Sequence, residues 1–256
     1  MPALTSDSLL AELRRLKLLT DEAAARVADT ALSHHLPPDR WSRLLVEAGL
    51  TKFQARAAVA GHAGKLLFGP YLFLDRVGEG GMGTVYKARH VRTGRIDALK
   101  VLRTDKVGSR TVVRRFLREI QVTSRLEHPH IVRAYDAGAV GRQYYLATEF
   151  VNGTDLATVV HKRGPLSVAD GCLVVYQAAL ALRHIHEMGL VHRDIKPSNL
   201  IRDRVTGAVK ILDLGLSGFN RSTQESGGGL TLTRDGVVLG TPDFMAPEQV
   251  QSSHHV

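Results

Sequence analysis

The sequence predicts an α+β chain in which a small all-α segment is followed by a β-rich stretch and then by a second, mainly helical one. Three observations predict it. Apolar residues recur at helical spacing from residue 9 to about residue 61, the period shortens to two after Gly69-Pro70, and helical spacing returns at 113–126 and 169–186. A length of 256 residues suits a small domain plus a medium one. With 44% hydrophobic and 23% charged residues, the chain has the composition of an ordinary folded protein, which excludes wholesale disorder.

In the helical segment, spanning 1–68, Leu9, Leu13 and Leu16 form one stripe, and Asp21 with Glu22 opens a second helix at its positive end. Pro37-Pro38 interrupts the pattern, a short helix around Trp41 stops at Gly49, and Thr51 with Gln54 has capping-box spacing before a further helix. No set of His, Cys or carboxylates recurs there, so packing is the expected role of these helices. His34-His35 reads as a polar turn.

After Gly69-Pro70, the stretches YLFLDRV, TVYKARH and IDALKVL read as strands separated by glycine-containing turns, one of them at Thr93-Gly94. The stretch 215–240, rich in Gly, Ser and Thr, reads as a long loop. No internal repeat is present, which sets aside solenoids and propellers.

The net charge of +9 suits polyphosphate as well as nucleic acid. The basic residues are interspersed with acidic ones and aromatics make up only 5%, so nucleic-acid binding is not expected and ranks last among the functions considered. The one cysteine, Cys172, cannot form an internal disulfide and is expected to be a buried helix residue in a reducing compartment. No secretory signal is expected, and no stretch is expected to reach the roughly 18 apolar residues of a membrane span. A cytoplasmic protein without a membrane segment is the expectation.

The strand at 72–77 runs into GEGGMGTV, where Gly78, Gly80 and Gly83 have G-x-G-x-x-G spacing and Val85 comes two residues later. The alternation of TVYKARH favours strand, loop and strand over the helix that a dinucleotide fold requires. A backbone without side chains can lie close over phosphates and point N–H groups at them. Further on, HRDIKPSN occupies 192–199, and DALK, LDLG and GTPDFMAPE accompany it in order.

In this ordered set, the chain from about Tyr71 to Glu248 resembles the bacterial eukaryotic-like serine/threonine protein kinases. The resemblance implies a bilobal kinase-like fold over 69–256, with a β-rich N-lobe at about 69–150 and a helical C-lobe, incomplete, at 151–256. It implies ATP and Mg2+ as cofactors and serine- or threonine-bearing proteins as substrates, with self-association for autophosphorylation as a candidate. Gly78, Gly80, Gly83, Val85 and Ala98 would surround the nucleotide, and Lys100 would hold its α- and β-phosphates, aligned by Glu119 on the helix that also carries Phe116 and Ile120. Thr148 would lie beside the adenine, Glu149 to Val151 would bond it through the connector backbone, and Asp155 would lie near the ribose. A strand followed by a helix cap at Thr154 or Asp155 explains the last residues equally well.

By the same resemblance, Asp194 accepts the proton of the incoming hydroxyl and Lys196 neutralises charge on the moving phosphoryl group. Asn199 and Asp213 bind magnesium, and Leu214 replaces the usual Phe after that aspartate. Lys196 and Thr241 mark serine/threonine specificity. Thr231 and Thr233 occupy the loop that related kinases phosphorylate; a phosphate there adds about two negative charges, which Arg193 would pair. Family members continue beyond the segment ending at Glu248 with helices that are not in this sequence. The competing expectation is therefore a truncated, inactive nucleotide-binding or interaction fragment.

Overall fold

The computed structural model describes residues 6–34, 38–80, 83–102, 120, 124–212, 244, 246 and 247. The chain divides into two compact units, one comprising Met1–Lys106 and Gly138–Phe150, the other Val107–Ala137 and Val151–Val256.

The first unit begins with α1 (Ser6–Arg15), α2 (Asp21–His34), α3 (Pro38–Glu47) and α4 (Lys52–Val59). Their apolar stripes close on one core through Leu9, Leu13, Val27, Leu45 and Ala55. Asp21 opens α2 as expected. Gly49, just past α3, has φ 108, a left-handed angle that a side chain would resist. The capping box forms: the Gln54 amide donates to Thr51 Oγ1 at 3.1 Å, and the Thr51 amide donates to Gln54 Oε1 at 3.1 Å.

Six strands come next among the described residues: β1 (Leu67–Phe68), β2 (Tyr71–Gly80), β3 (Gly83–His90), β4 (Ile96–Leu102), β5 (Ala134–Val140) and β6 (Gln143–Glu149). They form one sheet in the order β1-β2-β3-β4-β6-β5. Period-two alternation puts Ala88, Leu99 and Ala147, all fully buried, in a core with Phe73 and Tyr145. Leu18, Phe53 and Ala57 of the helical segment pack against this core. β2 runs three residues past the expected strand, pairing Gly78 with Val85 and Gly80 with Gly83. Glycine accepts the extended backbone there, so the ladder continues into the motif.

The second unit holds a sheet of β7 (Gly153–Asp155), β8 (Leu200–Asp203) and β9 (Val209–Ile211), with α5 (Leu156–Arg163) and α6 (Val168–Glu187). Val174, Ala178, Ala181 and Ile185 of α6 pack with Val209 and Ile211 of β9. Gln177, also on this stripe, accepts the Val209 amide at 2.8 Å and ties helix to strand. Two expectations are corrected here. Cys172 lies off the stripe and is exposed. By length and composition α6 does qualify as a candidate membrane span, because its outer residues Leu173, Val175 and Tyr176 are apolar too. Its inner stripe is nevertheless part of the unit's core, as in a folded domain. Most of the helix expected at 113–126, and the loop expected at 215–240, lie outside the described residues.

Because the helical segment packs on the sheet, the two should unfold together. Leu99→Ala in β4 should cost about 2–5 kcal/mol. In urea titrations, the transition reported by Trp41, the one tryptophan, should move to lower urea together with that reported by far-ultraviolet circular dichroism.

Candidate active site

In the first unit, the register of the sheet gathers several candidate residues. Gly78 pairs with Val85, Val85 with Lys100 and Lys100 with Leu146, which makes one row across four strands. Two residues away, Ala98 pairs with Thr148, whose hydroxyl donates to the Ala98 carbonyl at 3.4 Å. Alternation puts this set on the face opposite Leu99 and Ala147. Glu149 closes β6.

The three motif glycines answer different demands. A Cβ on Gly83 would lie 2.1 Å from the Val101 carbonyl oxygen, so close packing of β3 against β4 requires glycine there. A Cβ on Gly78 or Gly80 would meet nothing within 4 Å. Among the described residues no packing accounts for glycine at those two positions, and the open space above them fits a backbone that approaches a ligand.

In the second unit, the loop 192–199 is held by its own polar atoms. His192 is 1% exposed. Its Nε2 donates to the Leu212 carbonyl at 3.1 Å, and its Nδ1 accepts the Asp194 amide at 3.3 Å. The amide must donate and the carbonyl must accept, so the ring is the neutral tautomer protonated at Nε2. Arg193, between them, has φ 64, a left-handed backbone that costs a side-chain-bearing residue about 1–2 kcal/mol. Asn199 Nδ2 donates to the Asp194 backbone oxygen at 2.8 Å and to its Oδ2 at 2.9 Å. Lys196 Nζ lies 3.1 Å from the same Oδ2. Asp194, Lys196 and Asn199 are thus brought together, and both side-chain bonds of Asn199 use its NH2 group, which leaves the amide oxygen facing elsewhere.

Asp155 is the N-cap of α5: Oδ1 accepts the Thr158 amide at 2.8 Å and Oδ2 accepts the Thr158 hydroxyl at 2.7 Å. Val151, the first residue of the unit's second stretch, is buried. Glu119, Asp213, Leu214, Thr231, Thr233, Thr241 and Glu248 lie outside the described residues.

The protein kinase domain family model matches residues 71–256. The chain belongs to that family. It is 37% identical over 196 residues to the serine/threonine-protein kinase pkn3 of Myxococcus xanthus, covering 75% of this chain and 35% of that one. It is also 37% identical over 188 residues to PrkC of Bacillus subtilis, covering 73% and 28%. The chain thus spans about a third of the length of these relatives. Among solved structures, the PknI kinase domain of Mycobacterium tuberculosis is similar at a TM-score of 0.53 and 33% identity, covering 58% of this chain and 59% of that one. The kinase-like fold expected from the motifs is therefore the fold of the chain.

Sequence reasoning missed residues that anchor the kinase loop. Leu212 carries no chemical signal of its own, yet its amide donates to the Asn199 carbonyl at 2.8 Å while its carbonyl takes the His192 bond. A group of histidines grips the strand that leads to it. His130 Nδ1 donates to the Val209 carbonyl at 2.8 Å, and His128 Nδ1 accepts the His130 amide at 3.1 Å. The His128 ring stacks on His184 of α6 with centroids 5.3 Å apart. The sequence signal was the HPH triplet at 128–130, whose partners are too distant in sequence to be read from it.

His192→Phe keeps a ring of similar shape but leaves the Asp194 amide and the Leu212 carbonyl unpaired. A loss of about 1–3 kcal/mol is expected, measured by urea titration at neutral pH.

The His128 pKa is lowered, first by partial burial and then by His130, His184 and Arg183, with Glu187 opposing. The unfolded chain therefore binds the proton more readily, and stability present above the ordinary histidine value of about 6.5 falls as the pH drops through it. The drop in the urea midpoint between about pH 7.5 and about pH 5.5 should be smaller in His128→Asn than in the unaltered chain.

Proposed function

We propose that the chain transfers the γ-phosphoryl group of ATP to serine or threonine hydroxyls of proteins. The observation that carries this reading is the cluster of Asp194, Lys196 and Asn199 in a loop tied at both ends to the backbone of Leu212. Family membership and the names of the relatives support the same activity.

With Oδ2 of Asp194 held by Asn199 and Lys196, Oδ1 is left to accept the proton of the incoming hydroxyl. Lys196 is oriented by that carboxylate and places a positive charge where the phosphoryl group passes. Lys100 is the cation of the Gly78–Val85–Lys100 row and is assigned to the α- and β-phosphates, with Glu119 as its aligning partner. Gly78 and Gly80 offer the open backbone for those phosphates. The amide oxygen of Asn199 and the carboxylate of Asp213 are hard oxygen donors that suit Mg2+. When bound, that ion supplies charge compensation for the phosphate oxygens. Lys196 and Thr241 support serine/threonine substrates. Phosphorylation of Thr231 or Thr233, paired by Arg193, is the proposed switch. Asp155, already engaged as a helix cap, keeps acceptor capacity for a ribose hydroxyl.

Transfer of labelled phosphate from γ-labelled ATP to serine or threonine of a general protein substrate tests this. Transfer should require Mg2+, stop with chelator, and fall at least about 100-fold in Asp194→Asn with the circular dichroism unchanged. Transfer that survives Asp194→Asn, or nucleotide binding with no transfer at all, would overturn the reading.

A further inference from the structure

We propose that Thr51 and Gln54 of the helical segment are positioning residues for the glycine-rich hairpin, so that the segment preceding the family match governs nucleotide binding. The inference deepens the nucleotide reading above and rests on it for its consequence in binding, but its mechanical core stands on geometry alone.

The capping box of α4 does more than cap. Thr51 Oγ1, while accepting the Gln54 amide, donates to the Leu74 carbonyl at 2.5 Å. Gln54, 3% exposed, turns Nε2 to the Phe73 carbonyl at 2.8 Å while its Oε1 takes the Thr51 amide. One box therefore holds two successive carbonyls of β2. These lie at an irregularity: the β2–β3 register shifts between Phe73 and Asp75, so Leu74 has no partner in the ladder. Its carbonyl, released by the bulge, is the one that Thr51 captures. Bulges bend a strand and re-aim the residues beyond them. Beyond this bulge lie a second register shift, between Arg76 and Gly78, and then the open glycines Gly78 and Gly80.

A second contact reaches the other arm of the hairpin. Phe53, between the two box residues, meets the ring of Tyr86 at 6.1 Å, and Tyr86 stacks on Phe73 at 4.1 Å. Tyr86 is next in the chain to Val85, the β3 partner of Lys100. α4 thus grips β2 by hydrogen bonds and β3 by aromatic packing from the core face, while the candidate nucleotide row lies on the other.

Two substitutions separate capping from grip. Thr51→Asp keeps a good N-cap acceptor for α4, but a carboxylate cannot donate to the Leu74 carbonyl. Thr51→Ser keeps both functions. In the full chain, Thr51→Asp should raise amide exchange in Val77–Gly80 and Gly83–Val85 at least tenfold and weaken binding of a fluorescent ATP analogue with Mg2+ about 3- to 10-fold, with KM for ATP rising while kcat stays within about twofold. Thr51→Val, neutral and of similar size, should act in the same direction, and Thr51→Ser should match the unaltered chain. Leu45→Ala, in the buried core of the helical segment, should lower the unfolding midpoint without either hairpin effect. Hairpin exchange unchanged in both Thr51→Asp and Thr51→Val, or raised equally by Leu45→Ala, overturns the proposal. If the exchange effect holds and the unaltered chain binds no nucleotide, the grip stands and the kinase reading is what fails.

Discussion

The backbone of Leu212 is the point on which the chemistry of the second unit turns. Its carbonyl receives His192 Nε2 and its amide bonds the Asn199 carbonyl, so both ends of the loop 192–199 are fastened to the residue after β9. Without those bonds the left-handed Arg193 would relax, and Asp194 would lose the geometry that brings it to Lys196 and Asn199. β9 is itself held by three bonds to two residues: Gln177 takes the Val209 amide, His130 takes the Val209 carbonyl, and the Ile211 amide donates to the His130 carbonyl. Local strain in the loop persists because the surrounding structure over-determines it.

Residues that share a motif need not share a reason. Gly83 is glycine because the Val101 carbonyl leaves no room for a side chain, a constraint that would hold with no ligand in existence. Gly78 and Gly80 have room, and packing among the described residues gives no cause for their identity. Asp155 shows the converse, since capping α5 explains a residue that the family pattern places near a ribose. The phosphate assignment is therefore stronger at two of the glycines, while the third glycine and the aspartate are evidence of fold.

What was legible in the sequence was local. Thr51 and Gln54 announced a capping box because three residues of spacing contain the whole device, and the alternation of TVYKARH and IDALKVL announced strands because the period is two. HRDIKPSN announced the loop, including its crowding of polar side chains. The bonds from Thr51 to Leu74 and from Gln54 to Phe73 were not legible, because they join residues 23 and 19 positions apart and leave no periodic trace. The stacking of His128 on His184 was hidden for the same reason. Cys172 was misread because a mostly apolar helix gives little contrast between its faces, and only the packing of Val174, Ala178 and Ile185 fixes which face is inside.

The limit of sequence similarity and the limit of the folded unit do not coincide. The family match begins at Tyr71, the first residue of β2, yet the core beneath that strand draws on Leu18, Phe53, Ala57 and Leu66 from the helical segment. A strand whose inner face is completed by an earlier part of the chain cannot be energetically independent of it, because buried apolar contact and satisfied carbonyls are lost together when the segment is displaced. A force, ligand or partner that acts on the helices acts on β2 through those two carbonyls and the apolar contacts beside them. The segment that looked like packing alone thus has a physical route to the glycine-rich hairpin, and that route is short.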